Sequence, residues 1–116
     1  MDDTRIIKTN YSQVEDYPYS APAILIPPGA PLLFIQGQVP WDDELNVVSQ
    51  GDFKGQVRQV FRNLEAICVD AGGKLSDLVH TLIFLTDMDR FDPEFLDVRT
   101  EFFPTADRPG YSPPAA

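Results

Sequence analysis

The stretch VHTLIFLT (79–86) limits the fold more than any other segment. It reads as a β-strand, and side chains along a strand alternate between two faces. Val79, Ile83 and Leu85 fall on one parity, Leu82 and Phe84 on the other, so both faces are apolar. LLFI (32–35) repeats the pattern, with Leu32 and Phe34 opposing Leu33 and Ile35. Strands of this kind need a cover above and below.

Two helices are legible to supply one cover. Phe53, Val57, Val60, Phe61, Leu64, Ile67, Cys68 and Ala71 recur at helical spacing, Asp52 stands as N-cap, and Gly72-Gly73 supplies the stop. A second helix is predicted from about Asp92 to Phe103, with Pro93 in its first turn and Phe95, Val98, Phe102 and Leu96 as inward candidates. Strands are predicted at 23–26 and 32–36, paired as a hairpin through PPGAP, with weaker ones at 5–9 and 46–49. KLSD makes a turn before 79–86, and DMDRF joins that strand to the second helix.

The order β-β-(β)-α-β-α describes an α+β fold, with two helices packed on one face of a four- or five-stranded sheet. No element remains for the other face. Burial of apolar area stabilises by roughly 25 cal/mol per Å², so the pattern predicts a homo-oligomer. The alternative is a sheet with one exposed, partly polar face.

The 116 residues fit a single domain, 1–116. A net charge of -9, from 18 acidic and 9 scattered basic residues, opposes contact with a phosphate backbone, so no nucleic-acid partner is expected. One cysteine and one histidine cannot build a disulfide framework or a Cys/His zinc site within one chain. MDDTRIIKTN does not read as a signal peptide, and no apolar run approaches a membrane span, so the expected compartment is the cytoplasm, without a membrane partner.

Three stretches carry a resemblance to a known family: FIQGQVPWD (34–42), QVRQVFRNLEAICVDAGGKLSDLVHTLIFLTDMDRF (56–91) and FFP…RP (102–109). They resemble the Rid family (reactive intermediate deaminase, or YjgF-like), which has also carried the name L-PSP endoribonuclease. The resemblance implies a chorismate-mutase-like sheet with helices outside, a homotrimer that buries the other sheet face, and ligand clefts between subunits. It implies hydrolysis of enamines and imines, such as 2-aminoacrylate-like or 2-aminomuconate-like intermediates, to keto acids and ammonia. It implies no metal and no organic cofactor. The expected ligand is a small imine, enamine or carboxylate. Ribonuclease activity, suggested by the older name, conflicts with the acidic charge.

The same resemblance nominates site residues. Gly37 matches the family glycine whose backbone lies against the ligand, where a Cβ would take up substrate space; a bulge or strand-end glycine is the alternative. Gln36 stands where many members have serine, and Gln38 is read as capping a strand end. Tyr19 matches a tyrosine near the cleft, with Tyr17 as its competitor. Phe91 is either a cleft wall or a packing contact at the second helix, and Asp89 a turn cap. His80 and Cys68 are read as non-catalytic, the latter as a small buried hydrophobe.

RPGYS (108–112) departs from the family's R-P-x-R-[ST] pattern. Arg108 and Pro109 match, whereas Tyr111 takes the place of the arginine that anchors the substrate carboxylate bidentately. One neutral hydrogen bond in place of two charged ones weakens a carboxylate by about 1–3 kcal/mol. The segment nominates Tyr111 as catalytic and Arg108 as substrate-binding. It also opens a second reading, a non-catalytic metabolite-binding homotrimer. Members also carry a final strand with a glutamate that positions water; SPPAA cannot serve as a central strand, so the family's last strand is expected to be absent or altered after about residue 110.

Overall fold

The carboxylate of Asp52 accepts a hydrogen bond from the backbone N–H of Gly55 at 3.1 Å and so opens the longest element of the chain. The computed structural model describes residues 5–7 and 23–103. Its elements are β1 (Arg5–Ile7), β2 (Ala23–Leu25), α1 (Phe53–Asp70), a 3₁₀ turn (Leu75–Asp77) and α2 (Met88–Phe102). The described residues fall into two compact units, one holding 5–7, 23–34, 78–83 and 103, the other 35–77 and 84–102.

In the second unit, α1 follows the sequence reading closely. Asp52 is the N-cap, and a Cβ at Gly55 would lie 2.5 Å from Asp52 Oδ2 and 2.9 Å from Ser49 Cβ, so the cap closes only over glycine. At the other end Gly72 takes φ +91°, and the Gly73 N–H bonds back to Cys68 O at 2.8 Å. Leu75 is buried just beyond, and Asp77 Oδ2 accepts from the Lys74 N–H at 3.0 Å to close the KLSD turn.

Helix α2 begins earlier than expected, at Met88 rather than near Asp92. The reason is a cap in the DMDRF segment: Asp87 Oδ1 accepts from the Arg90 N–H, and Asp87 O from the Phe91 N–H. Pro93 therefore lies inside the helix, where its missing N–H removes a hydrogen bond to the preceding turn.

The two helices pack through aromatic rings. Phe61 lies 5.0 Å from Phe102 and 5.9 Å from Phe95 between ring centroids, and Val98 is completely enclosed (0 % exposed). Val57, Phe61, Cys68, Leu75, Phe95 and Val98 form the core of this unit. Phe102 and Leu96 are half-buried. Outside the core, Arg58 clasps Glu101 with two bonds (Nε to Oε1 at 3.0 Å, Nη2 to Oε2 at 2.9 Å), and Lys54 reaches Asp97 at 3.2 Å.

The strand predictions need correction. In the first unit β1 and β2 pair antiparallel, Arg5 opposite Leu25 and Ile7 opposite Ala23. Thus 23–26 pairs with the N-terminal segment and not with 32–36 as a hairpin. Among the described residues the sheet has two strands in place of four or five. Residues 32–36 belong to no strand, 46–49 contributes one bridge (Val47 to Trp41), and 79–86 forms no strand, with a single bridge position at Thr81 and a bend at Thr86. A strand exists only through the ladder of a neighbour, and among the described residues no ladder forms along either apolar run.

The alternation along 79–86 nevertheless holds. Val79, Thr81, Ile83 and Leu85 are half-buried, while Leu82 (60 % exposed) and Phe84 (85 %) face outward. Phe34 is 89 % exposed, and Leu32 and Leu33 are exposed as well.

Candidate functional site

Gln36, Gly37 and Gln38 enter a turn built by the next ten residues. The Val48 N–H donates to Pro40 O at 2.9 Å, the Asp42 N–H to Asn46 O at 3.0 Å, and Trp41 bridges Val47. Asp42 Oδ1 accepts from the N–H groups of both Glu44 and Asn46 at 2.9 Å, an Asx-type closure. The turn places Leu45 at φ +64° and Ser49 at φ +52°, a left-handed region that branched or bulky side chains rarely enter.

A hollow of about 330 Å³ lies over this segment. Its polar side is made by Gln36, Gly37 and Gln38, its apolar side by Val39, Trp41 and Leu45. Asp42 and Asn63 complete it. The Gln38 amide donates to Gln36 O at 2.9 Å and so serves its own backbone, with no strand end there for it to cap. Gly37 has an unexceptional φ, and a Cβ built there meets nothing within 4 Å. Neither backbone conformation nor packing within the described chain calls for glycine at position 37.

The amide of Asn63 ties the segment to α1. Its Nδ2 donates to Val39 O at 3.2 Å and to Trp41 O at 3.0 Å, while Gln59 Nε2 donates to its Oδ1 at 2.8 Å. Gln56 anchors the far side of the turn through Val48 O at 3.2 Å. Sequence reasoning did not single out Asn63, Trp41 or Leu45. The available signal was the i, i+4 spacing of Gln59 and Asn63 on one helix, which brings the two amides together.

Among the nominated residues, Gln36 and Gly37 come together in the hollow. Phe91 is elsewhere: its ring stacks on Phe53 with centroids 4.2 Å apart, and the Arg90 guanidinium lies 4.8 Å from its centroid. This is the packing role at the start of α2. Tyr19, Tyr17, Arg108 and Tyr111 lie outside the described residues. His80 is exposed, and Cys68 is buried on α1 with its thiol pushed up by desolvation, then by the charges of Asp77 and Glu65. Among the described residues no helix is long and apolar enough to cross a membrane.

Comparison with known proteins finds relatives in sequence and in fold. A RutC family protein of Sulfurisphaera tokodaii is 41 % identical over 71 residues, 61 % of this chain and 56 % of that protein; one of Pyrococcus horikoshii is 39 % identical over the same shares. The match thus spans little more than half the length of these relatives. Among solved structures, YyfB of Yersinia pestis, a protein of unknown function in the conserved Rid family, superimposes with a TM-score of 0.72 at 21 % identity, covering 99 % of this chain and 82 % of YyfB. That likeness concerns the fold alone. A Thermotoga maritima protein superimposes with a TM-score of 0.60 at 27 % identity over 97 % of this chain and 84 % of its own. The family model described as Endoribonuclease L-PSP matches residues 12–115, and the chain accordingly belongs to that family, the Rid or YjgF-like proteins.

Proposed function

We infer that this protein is a hydrolytic deaminase of small reactive enamines and imines, working as a homotrimer in the cytoplasm without a metal or organic cofactor. The observation that carries the reading is Gly37. A glycine whose missing side chain is required neither by its own φ nor by any neighbour within 4 Å leaves space for something outside the described chain. The family resemblance makes that occupant the substrate, lying against the backbone at 36–37.

In the reaction an enamine such as 2-aminoacrylate takes a proton at carbon and becomes the iminium. Water adds to the C=N carbon, a proton passes from oxygen to nitrogen, and ammonia leaves as the keto acid carbonyl forms, taking up the remaining hydroxyl proton as ammonium. Nothing is oxidised, and the only co-reactant is water. Catalysis here is positioning and charge stabilisation. Gln36 and the Gly37 backbone hold the substrate, Arg108 binds its carboxylate, and Tyr19 and Tyr111 orient it and the attacking water. Phe91, spent on Phe53, supports the helix pair rather than the ligand.

The test couples a serine or threonine dehydratase, which releases 2-aminoacrylate or 2-iminobutyrate, to this protein and follows keto acid formation. Acceleration in proportion to protein concentration is expected; none at high concentration rejects the reading for these substrates. Tyr111 at the arginine position favours one other reading, a trimer that binds a metabolite without turning it over. Under that reading the native chain is inert and Tyr111→Arg creates deamination.

The homotrimer rests on the uncovered apolar side chains. Leu82 and Phe84 face out of a segment whose other parity is half-buried. Sedimentation at micromolar concentration should give three times the chain mass; a stable single chain rejects the assembly.

A further inference from the structure

We propose that Asn63 is the positioning residue of this site, fixing through its side-chain amide where the Gln36–Gly37 backbone lies; its bearing on catalysis rests on the deaminase reading above. The geometry is that of a clamp. A primary amide has two N–H donors and one carbonyl acceptor. Asn63 spends both donors on Val39 O (3.2 Å) and Trp41 O (3.0 Å), and its acceptor takes the Gln59 amide at 2.8 Å.

The two carbonyls lie on either side of Pro40, one residue after the Gln36-Gly37-Gln38 run. Residues 32–40 belong to no strand, so no ladder holds this stretch. The described hydrogen bonds that tie it to a helix are those of Asn63. Gln59 and Asn63 lie one turn apart on α1, capped at both ends, so the clamp stands on a rigid element. Asn63 also lines the hollow, but with its described donors and acceptor engaged, it acts through the backbone it holds.

The test compares three full-length variants. Asn63→Asp keeps the size and loses both donors, Asn63→Ala removes the group, and Gln56→Ala removes a like bond from α1 to Val48 O, on the other arm of the turn. Hydrogen exchange at the Trp41 and Asp42 amides, which donate to Val39 O and Asn46 O, should quicken by about tenfold in both Asn63 variants and stay unchanged in Gln56→Ala. In the dehydratase-coupled assay both Asn63 variants should raise KM about tenfold with kcat within about threefold, the pattern of lost ground-state binding.

The aspartate variant adds a second signature. When protonated its carboxyl regains one donor, so its KM relative to the native protein should fall as pH is lowered, whereas the alanine variant's ratio stays flat. Unchanged exchange at both amides overturns the proposal. So does quickened exchange with unaltered KM in a native protein that turns over, or a KM rise as large in Gln56→Ala. If the native protein shows no turnover, the deaminase reading fails, and the exchange measurement alone decides the clamp.

Discussion

Phe53 and Phe91 lie ring on ring, their centroids 4.2 Å apart and their planes within 12°, joining the first turn of α1 to the first turn of α2. Such pairs add about 0.5–1.5 kcal/mol beyond area burial. Phe91→Ala should therefore cost about 2–3 kcal/mol of unfolding free energy, less than a fully buried phenylalanine because this ring is half-buried. Phe91→Leu should recover about half of that loss and leave KM for the imine within about twofold in the coupled assay. A large KM rise in a well-folded Phe91→Leu protein would show that the ring touches substrate.

Leu45 combines a φ of +64° with 71 % exposure, an arrangement unfavourable to a leucine on both counts. Asparagine enters the left-handed region more readily. Leu45→Asn should stabilise by about 0.5–1 kcal/mol in urea unfolding. Since Leu45 forms part of the apolar side of the hollow, the same change should weaken ligand binding, so that stability and affinity move in opposite directions.

Glu101 is held below the usual carboxylate range, first by the Arg58 hydrogen bonds, against some desolvation, and further by the charges of Arg58, Lys54 and Arg62. A lowered folded-state value means stability that is present above the ordinary carboxylate pKa and lost as pH falls through the lowered one. Urea midpoints should decline from about pH 5 downward, and Glu101→Gln should flatten that decline. The difference should shrink in high salt because the pair is at the surface.

Burial, followed by the charges of Asp77 and Glu65, raises the Cys68 thiol above its ordinary value. The fold therefore disfavours the thiolate: stability holds below the ordinary thiol pKa and declines as pH rises past it. An aromatic disulfide reagent should react with the native protein about a hundredfold more slowly than with the urea-unfolded chain. Cys68→Ser, which places a hydroxyl in an apolar setting, should cost about 1–2 kcal/mol.

Much of the helical part was legible because its signals are local. Asp52, the 3–4 residue apolar spacing and Gly72-Gly73 lie within one stretch, and each acts on its neighbours. The start of α2 was missed because DMDRF reads as a connector, whereas Asp87 caps the next turn. Strand pairing was misread for a different reason: which segment Ala23–Leu25 joins depends on residues far away in sequence, and the partner proved to be Arg5–Ile7 rather than 32–36. Gly37 and Gln36 could be nominated through the resemblance. Asn63 could not, since its role appears only when 39–41 lies against α1.

Phe84, with 85 % of its surface in water, also bears on the early life of the molecule. In the proposed homotrimer such side chains stay bare on a freshly synthesised copy until another copy meets them, and the rate of that encounter depends on how many siblings are nearby. Sparse expression lengthens the interval during which chaperones grip the chain or aggregates capture it. Yield in a cell should accordingly climb more steeply than message level.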